Sequence, residues 1–313
     1  MQTKSFTMKM EDGFEIALNR WIPNEGTEVK GVVQLHHGLA EHSMRYDRLG
    51  SILAENGYIL NAYDMRGHGA TAELSEKNGT GLFGKLADKD GFNRVIEDLH
   101  EIITSLKNEF KDKKIILFGH SFGSFVSQGF IEKYGTEIDG CILCGTSGPK
   151  KNLAFFGKIA VNIVKLFRGG DSIVPALDKL SFGSYNKRIK NPKTENDWLS
   201  TNETNIELYE MDKWCGFKLR TSFFRDITSG LLQIHSKKNI KNIPNELPVF
   251  LIYGCEDPVG EYGKSVNKLY DIYKKKGMTN VSIKGYEGDR HEILNEHDKE
   301  KVENDVISWI SQI

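Results

Sequence analysis

Lys114-Ile-Ile-Leu-Phe118-Gly119-His120-Ser121-Phe122-Gly123 is the stretch on which the reading of this chain turns. Its four consecutive apolar residues, bounded by a lysine and a glycine, have the length and composition of a strand buried on both faces. The residues that follow, through Tyr134, read as a helix, so Gly119 to Gly123 forms the turn between them. A glycine at each end suits a turn too tight for flanking side chains. Ser121 then stands at the carboxyl edge of a sheet, and the Phe122 N–H opens a helix whose N-terminus favours negative charge. This is the one G-x-S-x-G in the sequence. With 31 glycines in the chain, a glycine-rich turn without chemistry is the alternative. The position between buried strand and helix favours a serine presented as a nucleophile on a sharp elbow.

Outward from this turn, strand-like and helix-like segments alternate. Residues 14–21 alternate apolar and polar positions, as a half-buried antiparallel strand does. Residues 31–36, 58–63 and 141–144 are short apolar runs. Residues 46–55 and 92–110 have helical spacing, the second with Val95, Ile96, Leu99, Ile102, Ile103 and Leu106 as its stripe. Such alternation predicts an α/β fold, a mostly parallel sheet with helices on both faces. The pattern breaks after Gly148-Pro149. Residues 149–245 read as mainly helical; strand runs then resume at 249–253 and 281–286, followed by helices at 263–276 and 299–313. The simplest organisation is a core in two parts, 1–148 and 246–313, with a helical cap of 149–245 inserted between them. Two independent domains in series is the alternative.

Composition excludes several classes. Lys+Arg 42 against Asp+Glu 43 gives a net charge of -1 over 313 residues, so there is no electrostatic footprint for nucleic acid. Anionic membranes gain no whole-chain attraction either, which leaves only a local patch. The first ten residues lack the apolar region of a secretory signal. The most apolar window, 153–167, is interrupted by Lys158, Asn162 and Lys165 and falls short of the roughly 20 residues a membrane span needs. Cys141-Ile-Leu-Cys144 formally matches C-x-x-C, but it continues a strand-like run, which favours two buried thiols over a redox pair. A cytoplasmic location is the expectation.

A serine nucleophile needs a base, and the base needs an orienting acid. In elbow-type hydrolases the acid and then the histidine follow the serine in the chain. Asp257, in Gly254-Cys-Glu-Asp-Pro-Val-Gly260, lies just past the strand run 249–253; Glu256 is its neighbouring competitor. His291, in Gly288-Asp-Arg-His-Glu292, lies past the last strand, whereas His297 falls in a polar run, 295–299, that reads as solvated surface. Ser121, Asp257 and His291 are thus the expected catalytic residues. The second donor for an oxyanion, beside the Phe122 N–H, is assigned to the Leu39 N–H in His36-His-Gly-Leu39. The cluster His36, His37, Glu41 and His42 matches no zinc-hydrolase spacing, so no metal is expected. Asp64-Met-Arg-Gly-His-Gly69 is expected to hold loops together beside the oxyanion segment.

These motifs, with His37-Gly-Leu-Ala-Glu-His42, Arg45-Tyr46 and Arg290-His-Glu-Ile-Leu-Asn-Glu296, resemble the monoacylglycerol lipase and lysophospholipase branch of the α/β-hydrolases. The resemblance covers the core from about residue 36 to residue 296. It implies an eight-stranded, mostly parallel sheet, a helical cap over the site and no cofactor. It implies also a carboxylic ester with one acyl chain and a small polar head as substrate. Glu41, His42, Arg45 and His120 are candidates either to bind that head group or to support the catalytic side chains. In the cap, Phe155, Phe156, Ile159, Ile163 and Leu166 share one side of a helix; that side packs on the core, lines an acyl tunnel or touches a lipid surface. Alternatives to the lipase-like reading are a short-chain carboxylesterase, a serine aminopeptidase and a ligand-binding protein without turnover. The expected partner is a small ester, with no nucleic acid and with transient membrane contact through the cap.

Overall fold

The computed structural model describes residues 1–313. The chain opens with the strands β1 (Gln2–Lys9), β2 (Glu15–Ile22) and β3 (Gly31–His36). It continues through α1 (Asp47–Glu55), β4 (Tyr58–Tyr63), α2 (Gly69–Lys77), α3 (Gly91–Glu109), β5 (Lys114–His120), α4 (Phe122–Tyr134) and β6 (Gly140–Cys144). Five helices follow without a strand: α5 (Lys151–Arg168), α6 (Pro175–Phe182), α7 (Glu203–Met211), α8 (Thr221–Ile234) and α9 (Lys237–Ile240). The chain closes with β7 (Val249–Gly254), α10 (Lys264–Lys276), β8 (Val281–Tyr286) and α11 (Lys299–Ile310).

The strands form one eight-stranded sheet in the order β1-β2-β4-β3-β5-β6-β7-β8. β1 and β2 pair antiparallel, as do β2 and β4, and every other pair is parallel. This is the α/β-hydrolase fold expected from the motifs. Every residue of β3, β4, β6 and β7 is buried, because helices cover both faces and leave no solvated side to write an alternating pattern. The larger core holds the inner faces of α3, α4, α8 and α10; the smaller, on the opposite face of the sheet, holds those of α1 and α11. Cys141 belongs to the first core and Cys144 to the second. Strand side chains alternate faces, so residues three apart point in opposite directions. The C-x-x-C spacing therefore separates two buried free thiols.

β1 escapes the sequence reading. It is an edge strand with nearly all its residues exposed, so no buried apolar run announces it. The helices between β6 and β7 do not stand apart from the body: α8 packs against α3 and α4, and Phe223, Phe224 and Ile234 are part of the larger core.

The topology brings the loops together. β3 and β5 are neighbours, with His36 opposite Gly119, yet the chain leaves β3 toward β4 and leaves β5 toward β6. Ligands bind at such a switch point, outside the carboxyl ends of the strands. The approach there is close. A Cβ on Gly123 would fall 2.1 Å from the His36 carbonyl oxygen, and one on Gly119 would fall 2.3 Å from Ser127 Oγ.

Gly123→Ala is therefore expected to destabilise the protein by about 3 kcal/mol or more, since backbone and not a flexible side chain must yield. Gly157→Ala, in the interior of α5 with only Thr228 Cγ2 at 3.4 Å, should instead gain up to about 1 kcal/mol. Urea unfolding of the two variants measures both, and equal effects would contradict the account of the elbow.

Candidate active site

Ser121 sits between β5 and α4 with φ 52° and ψ −118°, a conformation that costs a non-glycine residue about 1–3 kcal/mol. Neighbours hold it there. The Ser121 N–H donates to the Cys144 carbonyl at 2.9 Å, and its own carbonyl accepts from Ser124 N–H at 2.9 Å and from Ser124 Oγ at 2.6 Å. The side chain faces a cavity of about 540 Å³.

His291 and Asp257 come from the turns that follow β8 and β7. Their contact is direct: His291 Nδ1 donates to Asp257 Oδ2 at 2.9 Å, and Asp257 Oδ1 accepts the Val259 N–H at 2.8 Å. Both residues are buried. Since the carboxylate only accepts, Nδ1 carries the proton of a neutral ring and Nε2 is left as an acceptor. Nε2 has no hydrogen-bond partner, and His291 lines the same cavity as Ser121. Glu256, the competing acid, is exposed and lies outside this cavity. His297 is exposed, as expected, but Glu296 in the same run is fully buried. Its carboxylate accepts the N–H groups of Thr201 and Arg290, each at 2.9 Å, and so ties the histidine loop to residues between β6 and β7.

Leu39 and Phe122 both line the cavity. Neither N–H is taken by a protein acceptor, whereas the Gly38 N–H is donated to Glu41 Oε1. The loop that carries Leu39 is fixed by His37. Its Nε2 accepts the Met65 N–H at 3.0 Å, so its Nδ1 carries the proton donated to the Gly38 carbonyl at 2.7 Å. Burial pushes the His37 pKa down, consistent with that neutral ring. Asp64 holds the next stretch, accepting from Ser43 N–H at 2.8 Å, Ser43 Oγ at 2.6 Å and Ala70 N–H at 2.8 Å.

The four head-group candidates divide. Glu41 and His120 are in the cavity wall; His42 and Arg45 are not. Arg45 is instead the centre of a buried charge cluster. Its guanidinium donates to Glu41 Oε2 at 2.8 Å and, in bidentate fashion, to Glu292 at 2.6 and 2.8 Å, while Tyr209 lies 5.0 Å from it. Glu292 is a wall residue that sequence reasoning left without a role; its signal was a carboxylate directly after the expected catalytic histidine. His42 Nε2 pairs with Asp212 at 2.8 Å, and Cys215 places a third donor atom within 4.8 Å of these two. Burial, which outweighs the Arg45 charge, pushes the Cys215 thiol up and so opposes the thiolate a metal would need.

Glu41 accepts from Tyr46 at 2.8 Å and from His120 Nδ1 at 3.2 Å, besides Gly38 and Arg45. Burial opposes its charge, but His120 and Arg45 hold the carboxyl well below the usual value of 4.5. His120 behaves oppositely. Burial disfavours its charge, yet the Glu41 carboxylate raises its pKa above 6.5. The second ring nitrogen faces the His291 carbonyl at 3.4 Å, so both nitrogens meet acceptors, as an imidazolium requires.

The rest of the cavity mixes an aromatic and apolar group, Phe125, Phe182, Tyr185, Trp198, Phe217 and Leu219, with the polar side chains of Asp178, Lys179, Asn186, Glu195, Asn196 and Lys218. Most come from residues between β6 and β7. The apolar side of α5 does not contribute. Phe155, Phe156, Ile159, Ile163 and Leu166 are exposed, Phe156 by 66% and Leu166 by 80%, and none is in the wall. Packing on the core and lining a tunnel are both corrected by this arrangement: α5 buries only Ala154 and Val161.

The pKa shifts set a sign. The depressed Glu41 stabilises the fold above about 4.5, and that contribution is lost as pH falls through its lowered folded value. The raised His120 contributes below about 6.5 and loses its contribution as pH rises through its folded value. Glu41→Gln should therefore lower the His120 pKa, with only the Glu292 charge and the His291 carbonyl left to oppose burial, and its stability deficit should be largest between pH 4.5 and 6.5. An NMR titration of the His120 ring measures the first effect; an imidazole that titrates as in wild type would contradict it. Arg45→Ala, which strands two buried carboxylates, should cost about 3–5 kcal/mol in a denaturation experiment.

Residues 27–298 match the profile of a family described as "Serine aminopeptidase, S33" (Hydrolase_4). The chain is 25% identical over 302 residues to a monoacylglycerol lipase of Mycolicibacterium smegmatis, covering 95% of this chain and 93% of that protein. It is 27% identical to the monoglyceride lipase of Saccharomyces cerevisiae, covering 96% and 91%. Among solved structures, a thermostable carboxyl esterase from Bacillus coagulans in complex with glycerol superposes with a TM-score of 0.87 at 28% identity, covering 100% of this chain and 99% of that one. The chain belongs to this serine aminopeptidase-type hydrolase family, in its monoacylglycerol lipase-like branch of the α/β-hydrolases.

Proposed function

We propose that the protein hydrolyses carboxylic esters with a single acyl chain through an acyl-enzyme formed on Ser121. The observation that carries this reading is the buried His291–Asp257 hydrogen bond, which leaves an acceptor nitrogen unengaged in the wall of the cavity that Ser121 faces. Nε2 takes the hydroxyl proton as Ser121 Oγ attacks the ester carbonyl. Asp257 keeps the ring in the right tautomer and stabilises the imidazolium that forms. The N–H groups of Leu39 and Phe122 stabilise the oxyanion of the tetrahedral intermediate. The imidazolium then protonates the departing alcohol. Water repeats the sequence in reverse roles, with His291 first accepting and then returning the proton as the acid leaves.

The aromatic wall between Phe125 and Phe217 suits the acyl chain, and the His120 end suits a polar head. Glu41 is saturated by Arg45, Tyr46, His120 and Gly38, so it serves His120 and the oxyanion loop and has little capacity left for a ligand. The same saturation removes Glu41 as the receiver of an aminopeptidase substrate's α-amine; Asp178 and Glu195 are the other wall carboxylates open to that role. Residues 149–245, several of which line the cavity, act as a cap, and the exposed side of α5 meets a lipid surface. That helix carries Lys151, Lys158, Lys165 and Arg168 and no carboxylate, the composition of an interfacial helix on anionic lipid. No helix is long and apolar enough to cross a membrane.

A hydrolysis panel tests the chemistry. Long-chain monoacylglycerol should be cleaved faster than p-nitrophenyl acetate or an aminoacyl amide, and Ser121→Ala should lower turnover by about 10⁴-fold or more. Full activity in that variant would remove Ser121 from the mechanism, and a preferred amide would restore the aminopeptidase reading. Phe156→Glu/Leu166→Glu should reduce binding to anionic vesicles in a flotation assay while leaving hydrolysis of a short soluble ester intact. Undiminished flotation would refute the lipid contact.

A further inference from the structure

A second cavity, of about 250 Å³, adjoins the catalytic one. The two share Tyr185 and Trp198, whose rings meet edge to face 4.8 Å apart and form the partition between them. Trp198 also lies 5.0 Å from the His291 ring. The second cavity is lined by residues adjacent in sequence to the proposed triad: Arg290 precedes His291, while Glu256 and Pro258 flank Asp257.

Its chemistry differs from that of the first. Arg188, Lys190 and Arg290 line it, against the single carboxylate of Glu256. The cations come from a short segment, Lys187-Arg-Ile-Lys-Asn-Pro-Lys193, that holds four positive residues and no acid, and from the histidine loop. None of the three lining cations forms a salt bridge, whereas Arg45, Arg48, Arg66 and Arg94 each pair with carboxylates elsewhere. Arg290 is fixed through Nη1 alone, which donates to the Asp197 and Ser200 carbonyls at 2.7 and 2.9 Å; its other guanidinium N–H groups have no protein acceptor. Arg188 is steadied over the Tyr262 ring at 3.5 Å. Such a group of unpaired, partly anchored cations brings two guanidinium forks and one point charge to the same volume. A tetrahedral oxyanion fits it better than a planar carboxylate, which one arginine can satisfy alone.

We propose that this cavity binds a phosphate-type anion, carried on the head group of a single-chain ester or present as free phosphate. Only the first source rests on the ester-hydrolase reading. In that case the partition is where the head group passes from the catalytic cavity, and the pocket selects esters with a phosphate-bearing head over neutral ones.

Two measurements on the full-length protein test the site. Isothermal titration with inorganic phosphate should show binding to wild type that weakens about tenfold or more in Arg188→Ala/Lys190→Ala. A control pair on α10, Lys274→Ala/Lys275→Ala, removes the same charge elsewhere and should leave that affinity in place. In parallel, kcat/KM for a lysophosphatidic acid is divided by kcat/KM for the monoacylglycerol of the same chain. A fall of about tenfold in this ratio in the Arg188/Lys190 variant supports the head-group source. Phosphate binding lost while the ratio is constant supports the free anion. Absence of phosphate binding together with an unchanged ratio overturns the proposal, as does equal weakening by the α10 pair. If no ester is turned over by wild type, the hydrolase reading fails while the calorimetric arm still decides the pocket.

Discussion

Everything at the site depends on how near α4 comes to the end of β3. The backbone of Gly123 touches the carbonyls of His36 and His37 with no room for a single carbon between them. That approach sets the Phe122 N–H beside the loop of Leu39, and it forces Ser121 into its unfavourable φ of 52°. A strained residue persists only when its surroundings over-determine it. Here the determinants are rigid: β5 is hydrogen-bonded on both sides, to β3 and to β6, and α4 is buried along almost its whole length. The alternative, a looser turn, would free the strain but separate the two N–H groups that the proposed chemistry needs together.

A second constraint is electrostatic. Arg45, Glu41 and Glu292 are all nearly withdrawn from water, where ion pairs are weak sources of stability but costly to break. Their value lies in what they join. Glu41 belongs to the oxyanion loop, Glu292 to the histidine loop and Asn205, which donates to Glu292 at 2.6 Å, to α7 above the cavity. One guanidinium therefore fixes the relative positions of three segments far apart in sequence. Glu41, which that guanidinium holds in place, in turn favours the charged form of His120 against burial.

The sequence was most readable where backbone geometry demands particular residues. The paired glycines around Ser121 have a steric reason that a pattern can express, and continuous apolar runs report strands buried on both faces. Asp257 and His291 were legible because topology places them after successive strands, and the structure brings them into contact. Legibility ended where a residue's role depends on its distant partner. Glu296 sits in a polar run that reads as surface, but its burial follows from Thr201 and Arg290, which no local pattern announces. Arg45 and Glu292 are separated by most of the chain. The exposed side of α5 is the clearest case: helical periodicity tells which residues share a face, and nothing in periodicity tells whether that face meets protein or solvent.

The division of labour between the two parts of the chain follows from these constraints. The groups assigned to bond making are held by the sheet edge and by a charge cluster that tolerates no vacancy. The groups that shape the cavity, Phe182, Tyr185, Trp198 and Phe217, come from short helices and turns with few fully buried residues. Segments of low local burial are the ones that can open and repack at small free-energy cost, whereas the elbow cannot move without unpacking β5 and α4. In the proposed reading, substrate range is set by the less rigid wall, where substitution leaves the strained serine undisturbed. The position of Trp198 sharpens the point: it touches the ring of His291 on one side and Tyr185 on the other, so the boundary of the cavity is fixed at the proposed base and grows freer away from it.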